Sequence, residues 1–367
     1  MTDITLRDVA KTAGVSISTV SRVVRGKDIV HPETKRKVMK AVKKLNYYPN
    51  TTARAMVKKQ TNTIGLIISD ISNPFYPPLL RGVENTINKF GYSLILCNTD
   101  ENAEKEKQYL KVMLEKRVDG LIVSLTSPAN ARFLKEFEKR NIPIVCIDRK
   151  PENMEVDTVC VDNVQGAFMA VEHLLKIGHR RIGMVSGIRG ITTTEGRVEG
   201  YLKALKDHGV DKSLIFEGKS TIEGAIGAIK ELLNLDFSPT ALFSCNNLIT
   251  LGIYIGLKKH GKKIPKDIAV VGFDDLDWAE ALYPPPTVVS QPTYAIGATA
   301  AQILIQRTLK EGPKNRQNIV LKTELIVRES CGAKSKKSHI LIKRGMEEGQ
   351  KLSKGGDDSY IMNEYES

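Results

Sequence analysis

Residues 6–26 read LRDVAKTAGVSISTVSRVVRG, and this stretch decides the fold of the amino-terminal part. Leu6, Val9, Ala10 and Ala13 recur at helical spacing. Thr5 stands before them and Asp8 follows three residues on, the pairing that closes a helix start. Gly14 and Val15 make a turn. Ser16 can cap a second helix whose inner face is Val20, Val23 and Val24, and Gly26 stops it. Pro32 opens a third helix at its favoured first position, and Val38, Ala41, Val42 and Leu45 form its buried side. Ala10 is small enough to let the second helix cross close to the first. Together these spacings define a helix-turn-helix rather than an ordinary helical hairpin.

Such a motif sets its second helix in the major groove of DNA. The residues left facing outward are Ile17, Ser18, Ser21, Arg22 and Arg25. Arg22 suits a two-pronged contact to guanine, and Ile17 suits a thymine methyl. Thr5, Ser16, Thr19 and Ser21 suit phosphate contacts, which position without specifying. Thr5 and Ser16 are expected to cap helices as well.

The charge distribution agrees. The 367 residues carry a formal net charge of +13, unevenly spread. Residues 1–60 hold 14 Lys/Arg against 4 Asp/Glu, whereas the rest holds 41 against 38. A compact basic segment fits a phosphate backbone, because each neutralised phosphate releases condensed counterions. A solvated basic face would show the same excess, so charge alone does not decide between the two. Cys97, Cys146, Cys160, Cys245 and Cys331 are scattered without a CxxC pair, as expected of reduced thiols in a cytoplasm. No apolar run approaches the ~18 residues of a membrane span. The polar start MTDITLRDVAK does not read as a signal peptide, so a cytoplasmic protein without membrane association is expected.

From Thr63 the rhythm changes to strand and helix in alternation. Strand-like runs are TIGLIIS at 63, YSLILCN at 92, VDGLIVSL at 118, IPIVCID at 142, RIGMVSG at 181, TALFSC at 240 and DIAVVGFDD at 267. Continuous apolar strands separated by helices mean α/β architecture with parallel sheet covered on both faces. About 270 residues is long for one sheet, so two similar lobes split near residue 162 are expected. The organisation read from the sequence is a headpiece over 1–49, a hinge and linker over 50–62, a two-lobed domain over 63–332 and a mostly disordered tail over 333–367. Residues 46–60 read as polar, basic linker. In the tail only ILIK at 340–343 is apolar.

Enzymatic readings find little support. No GxGxxG follows a strand, and GKS at 218–220 lacks the earlier glycine of a phosphate-binding loop, since Ser213 stands there. The histidines show no metal-ligand spacing, and no Ser–His–Asp signature is present. Neither catalysis nor a cofactor or metal is expected.

The segments DVAKTAGVSISTVSRVVRG, LNYYPNTTARAM, TIGLIISDISNPFY, KRVDGLIV, IPIVCIDR, IGHRRIGMVSG, GRVEGYLKAL, IAVVGFDD and SQP occur in that order. From residue 4 to about 330 the chain resembles the LacI/GalR family of bacterial repressors. The resemblance implies an all-α headpiece joined to a two-lobed domain like the periplasmic sugar-binding proteins. It implies a homodimer on a palindromic double-stranded operator, controlled by a small carbohydrate-type effector between the lobes. It also implies that Asn50–Val57 becomes a hinge helix on DNA, with Asn50, Ala53 and Arg54 matching the family pattern and Met56 at the position of the minor-groove wedge.

In sheets of this kind ligands sit at the carboxyl ends of strands. Asp70, Asn73 and Phe75 follow the first strand; Asp148 and Arg149 end IPIVCID; Arg197 follows a Gly/Thr-rich loop. Asn246 and Asn247 follow TALFSC, Asp274 ends IAVVGFD, and Gln291 follows VVS. By resemblance these ten line the effector cleft. Two features depart from the family. Asn247 replaces an Asp that is frequent there, removing a charge from the pocket floor, and GKSTIEG (218–224) lacks an aromatic that several relatives carry. With Arg149 and Arg197 also present, an effector bearing an acid group, such as a sugar acid, is expected. A secreted sugar-binding protein would share the lobes but has no use for residues 1–60. An activator would use the same parts as a repressor.

Overall fold

A computed structural model of the chain describes residues 4–24, 30–47, 60–151 and 154–333. The amino-terminal unit holds α1 (Leu6–Ala13), α2 (Ile17–Val24) and α3 (Pro32–Lys44). Asp8 closes the start of α1, accepting from the Thr5 amide at 2.8 Å and the Thr5 hydroxyl at 2.7 Å. Gly14 ends α1 at φ 66°, a left-handed conformation that costs glycine nothing. Ser16 Oγ accepts from the Thr19 amide at 3.2 Å and so caps α2. Val9, Val20 and Val38 are wholly buried at the centre of the three helices. Tyr47 belongs to the same core, although the sequence reading placed 46–60 in a linker. A lone tyrosine after a helix gives no periodic signal; only packing reveals its side. Arg25, Gly26, the hinge stretch with Asn50, Arg54 and Met56, and the tail 334–367 lie outside the described residues.

The rest forms two lobes. The first begins with β1 (Thr63–Ile68), α4 (Tyr76–Asn88), β2 (Ser93–Asn98), α5 (Ala103–Glu115), β3 (Gly120–Val123), α6 (Ala131–Lys139), β4 (Ile144–Ile147) and β5 (Asp157–Val161). The second runs through α7 (Asn163–Lys176), β6 (Ile182–Ser186), α8 (Thr192–Asp207), β7 (Leu214–Glu217), α9 (Ile222–Leu233), β8 (Ala241–Ser244), α10 (Asn247–Lys259), β9 (Ala269–Phe273) and β10 (Thr287–Ser290). Then come α11 (Thr293–Leu309), β11 (Asn318–Leu321) and β12 (Glu324–Ile326). The sheets have strand orders β11-β5-β4-β3-β1-β2 and β12-β10-β9-β8-β6-β7. These are the same order, position for position. Every pairing is parallel except that of β12 with β10.

The single division near residue 162 does not describe the carboxyl-terminal part. After β10 the chain re-enters the first lobe, where α11 packs on α4 and β11 pairs with β5; β12 then returns to the second sheet. Three strands of chain therefore join the lobes. Close helix packing explains the return. A Cβ at Gly82 would lie 2.3 Å from the Tyr294 carbonyl oxygen, and one at Gly297 would lie 2.1 Å from that of Leu79. Two glycines thus let α4 and α11 meet backbone to backbone. Leu79, Val83, Ile296 and Ala300 close the seam, all wholly buried. Asp157, also wholly buried, accepts from Arg307 at 2.7 and 2.9 Å and from the Gln317 amide at 2.7 Å, fixing both ends of the excursion to β5.

Candidate functional site

On α2 the apolar residues Val20 and Val23 face the core, and Ile17, Ser18 and Arg22 face solvent. Ile17 is 44% exposed on the solvent face of α2, an apolar side chain suited to an apolar contact outside the chain. Thr19 and Ser21 are half-buried at the edges of this face. Ser16 Oγ lies 2.8 Å from both Ser18 Oγ and Thr19 Oγ1, so these hydroxyls form one cluster at the helix start. Thr5 is exposed and its hydroxyl donates to Asp8. Six of the seven expected headpiece contacts within the described residues, leaving out capping Thr5, thus belong to α2 or its cap.

Between the lobes lies a cavity of about 210 Å³, closed by the carboxyl ends of strands from both sheets. Nine of the ten expected effector residues line it: Asp70, Asn73, Phe75, Asp148, Arg149, Arg197, Asn246, Asp274 and Gln291. Asp148 and Asp274 occupy equivalent places after β4 and β9. Both hold left-handed backbones, at φ 62° and 72°, and both amides bond the neighbouring strand, to the carbonyls of Val159 and Val289. Strained backbone of this kind clusters where a side chain must be aimed at a site. Burial pushes Asp148 up to about 6, against the pull of Arg149 and Arg197. Burial likewise raises Asp274, with Arg197 and Gln291 opposing it.

Asn247 departs from expectation. Its side chain does not line the cavity; Nδ2 donates to Asn73 Oδ1 of the opposite lobe at 3.0 Å. As the first residue of α10, after Asn246 has capped that helix, it faces the lobe junction rather than the pocket floor. It makes the only side-chain hydrogen bond between the lobes across the cleft among the described residues. Asn73 Oδ1 accepts from the Phe75 amide as well, at 2.9 Å, so Asn73 both shapes the entry to α4 and meets the other lobe.

The arginines also differ from expectation. Arg149 bonds the Glu101 carboxylate at 2.8 and 2.5 Å and lies 3.7 Å from Asp148. Arg197 stacks on Phe273, with its guanidinium carbon 3.8 Å from the ring centre. It donates to the Cys245 carbonyl at 2.6 Å and to Asn163 at 2.8 Å, and lies 3.8 Å from Asp274. Both guanidiniums are therefore balanced within the protein. Neither they nor Asn247 supplies the uncompensated charge from which an acidic effector was expected. Arg149 Nε and Gln291 Oε1 remain buried without a hydrogen-bond partner among the described residues, one donor and one acceptor beside the cavity.

Several lining residues were not anticipated. Tyr76 bonds Ser69 at 2.7 Å and Ser124 at 3.2 Å, and burial pushes its hydroxyl up to about 12. Asp100 and Glu101 follow β2, where the rule applied to the other strands would have found them. Thr193 and Thr194 open α8. Lys219, Ser220 and Thr221 follow β7, a strand too exposed for its apolar content to mark it. Among the described residues there is no cluster of metal-ligating side chains, and no helix is long and apolar enough to cross a membrane.

A helix-turn-helix unit followed by two like-folded α/β lobes with a polar cleft defines the class of ligand-responsive DNA-binding regulators. Residues 5–50 match the model of bacterial regulatory proteins of the lacI family, and residues 61–325 match that of periplasmic binding proteins and the sugar-binding domain of the LacI family. The chain belongs to the lacI family of bacterial regulatory proteins. It is 38% identical over 328 residues to the ribose operon repressor of Halalkalibacterium halodurans, covering 89% of this chain and 96% of that one. It is 34% identical over 329 residues to the transcriptional repressor PurR of Aliivibrio salmonicida, covering 89% and 98%. Among solved structures, the lac repressor dimer bound to operator and the anti-inducer ONPF superposes with a TM-score of 0.80 at 27% identity, covering 90% of this chain and 99% of that one. These relatives are transcriptional repressors, not enzymes.

Proposed function

We propose that this chain is a sequence-specific repressor that acts in the cytoplasm as a homodimer on a palindromic operator, and that a small carbohydrate held between its lobes sets its affinity for DNA. The headpiece is assigned to 1–49, a joining segment to 50–62, the ligand-binding and dimerisation domain to 63–332, and a tail to 333–367. The observation that carries the reading is a polar cavity walled by both lobes, in a chain whose α2 presents a solvent-facing Ile17 and Arg22. The ribose operon repressor and the operator-bound lac repressor dimer support it by likeness.

The cavity chemistry suits a ring rich in hydroxyls. Carboxylates accept from such hydroxyls, amides do both, and Phe75 offers an apolar wall. At about 210 Å³ the space takes a compact ligand. A ligand touching both lobes changes DNA binding only by favouring one lobe arrangement over another. Closing the lobes around it moves the strands that join them, and through residue 60 the segment leading to the headpiece. On DNA, Arg25, Asn50, Arg54 and Met56 are assigned contacts alongside those of α2.

The test is selection of bound duplexes from a random pool by the purified full chain, followed by a screen of metabolites for altered binding. An enriched inverted repeat, and a sugar that shifts its occupancy, are expected. Absence of any inverted repeat with or without metabolites would refute the reading. On the selected site Arg22→Ala should cost ~1–3 kcal/mol and relax preference at one base pair.

A further inference from the structure

The two walls of the cleft differ in chemistry. On the first lobe Asp70, Asp100, Glu101 and Asp148 accompany a single lining cation, Arg149. On the second lobe Asp274 is matched by Arg197, and Lys219 adds a positive charge with no ion-pair partner among the described residues. Lys219 and Ser220 hold φ 50° and 57°, consecutive left-handed conformations that are costly for residues with a Cβ. They shape the turn after β7 that brings Lys219 to the cavity.

The start of α8 meets the same wall. No side chain caps this 16-residue helix, and the amides of Thr192, Thr193 and Thr194 find no acceptor among the described residues. Thr193 is only 7% exposed, lines the cavity, and its hydroxyl has no hydrogen-bond partner there. Glu195, the acid of that first turn, is held by Arg189 through two bonds of 2.9 Å, so its charge is balanced. Free amides at a helix start attract negative charge, and the exposed Lys219 ammonium, on the same cavity lining, adds to the attraction.

We infer that Lys219, Thr193 and the start of α8 form an anion pole that binds a carboxylate or phosphate group carried by the sugar, whose hydroxyls face the first-lobe carboxylates. The inference rests on the reading of the cleft as a sugar site and adds the ligand's charge and orientation. It replaces the two balanced arginines with a different source of positive potential.

The test is calorimetric titration of the full chain with two matched sets: ribose, ribonate and ribose 5-phosphate; and glucose, gluconate and glucose 6-phosphate. An anionic member should bind about tenfold tighter than its neutral parent, and Lys219→Met should weaken the anionic member far more than the parent, removing that advantage. Preference between the carboxylate and the phosphate identifies which group the pole takes. A neutral sugar that binds as tightly as its anionic derivatives, or a Lys219→Met change that weakens both equally, would overturn the inference and leave the sugar-site reading standing. Binding of none of the six by a chain that still binds its operator would overturn both.

Discussion

The two lobes share one strand order but not one surface. Each places a strained Asp after its fourth strand, Asp148 in the first and Asp274 in the second, and each buries an arginine near it. In the first lobe Arg149 is gripped by a separate carboxylate, Glu101, and the wall stays rich in acceptors. In the second lobe Arg197 is held by a carbonyl, an amide and the Phe273 ring, and the wall is rich in donors. The same scaffold thus carries opposite chemistry on facing walls. A ligand between them gains only if its own groups are arranged unequally, which makes the cleft selective for orientation as well as for composition.

The largest expected effect tests whether the two arginines are equivalent. Arg197→Met leaves Asp274 buried without its cation, and a broken buried pair costs ~3–5 kcal/mol. Arg149→Met likewise strips the buried Asp148 of its neighbouring cation, but the carboxylate that holds Arg149 most closely, Glu101, is partly exposed and regains water, so a smaller loss is expected. Thermal unfolding of both variants would settle the order; equal losses would end the distinction.

Next come the helix seams, where the lobes are alike. A Cβ at Gly82 would lie 2.3 Å from a carbonyl oxygen of α11, and one at Gly200 would lie 2.2 Å from the Val164 oxygen of α7. Gly82→Ala and Gly200→Ala should each force helices apart and cost ~1–3 kcal/mol. Denaturant titration that found one variant neutral would show that seam to be loosely packed.

A smaller effect is expected where the lobes touch. Asn247→Asp replaces the donor to Asn73 Oδ1 with a carboxylate, losing a hydrogen bond of ~1 kcal/mol and adding repulsion. Small-angle scattering of the ligand-free variant should give a larger radius of gyration. An unchanged radius would mean that the three joining segments alone hold the lobe angle.

The smallest effect is a pH dependence of ligand affinity. Asp148 is raised to about 6 in the free protein, so it is mostly protonated one unit below that value. A ligand hydroxyl donating to Asp148 favours the ionised form and lowers its pKa on binding. Affinity should therefore rise with pH through about 6 and level off above it, by at most about tenfold per unit. Titrations at three pH values would show this; an affinity that fell over that range would place the ligand's acceptors, not its donors, against Asp148. For folding the sign is opposite. The folded chain keeps the Asp148 proton between the unfolded value near 3.9 and about 6, so this group's contribution to stability falls as pH rises through that window.

Much of this was legible along the chain. The headpiece helices, their caps and the outward face of α2 follow from a 3.6-residue period and a few small or polar residues. The central strands β1, β3, β4, β8 and β9 are buried along almost their whole length, so their apolar runs announced them. The same logic hid β7 and β11, which alternate between half-buried and exposed. It hid β5 too, because that strand begins with Asp157, a charged residue made tolerable inside by Arg307, Arg316 and the Gln317 amide, all from a distant part of the chain.

Sequence by itself determined which residues could do chemistry and placed most of them at strand ends, because local periodicity fixes where each strand stops. Tertiary structure alone decided what those residues face. It paired Arg149 with Glu101, sent Asn247 to the other lobe, and brought Lys219 from the turn after β7 and Thr193 from the start of α8 to one cavity. Such neighbours are set by strand order and by the backbone-close packing of α11 on α4, which are contacts between segments far apart in the chain and leave no mark on the pattern of either one.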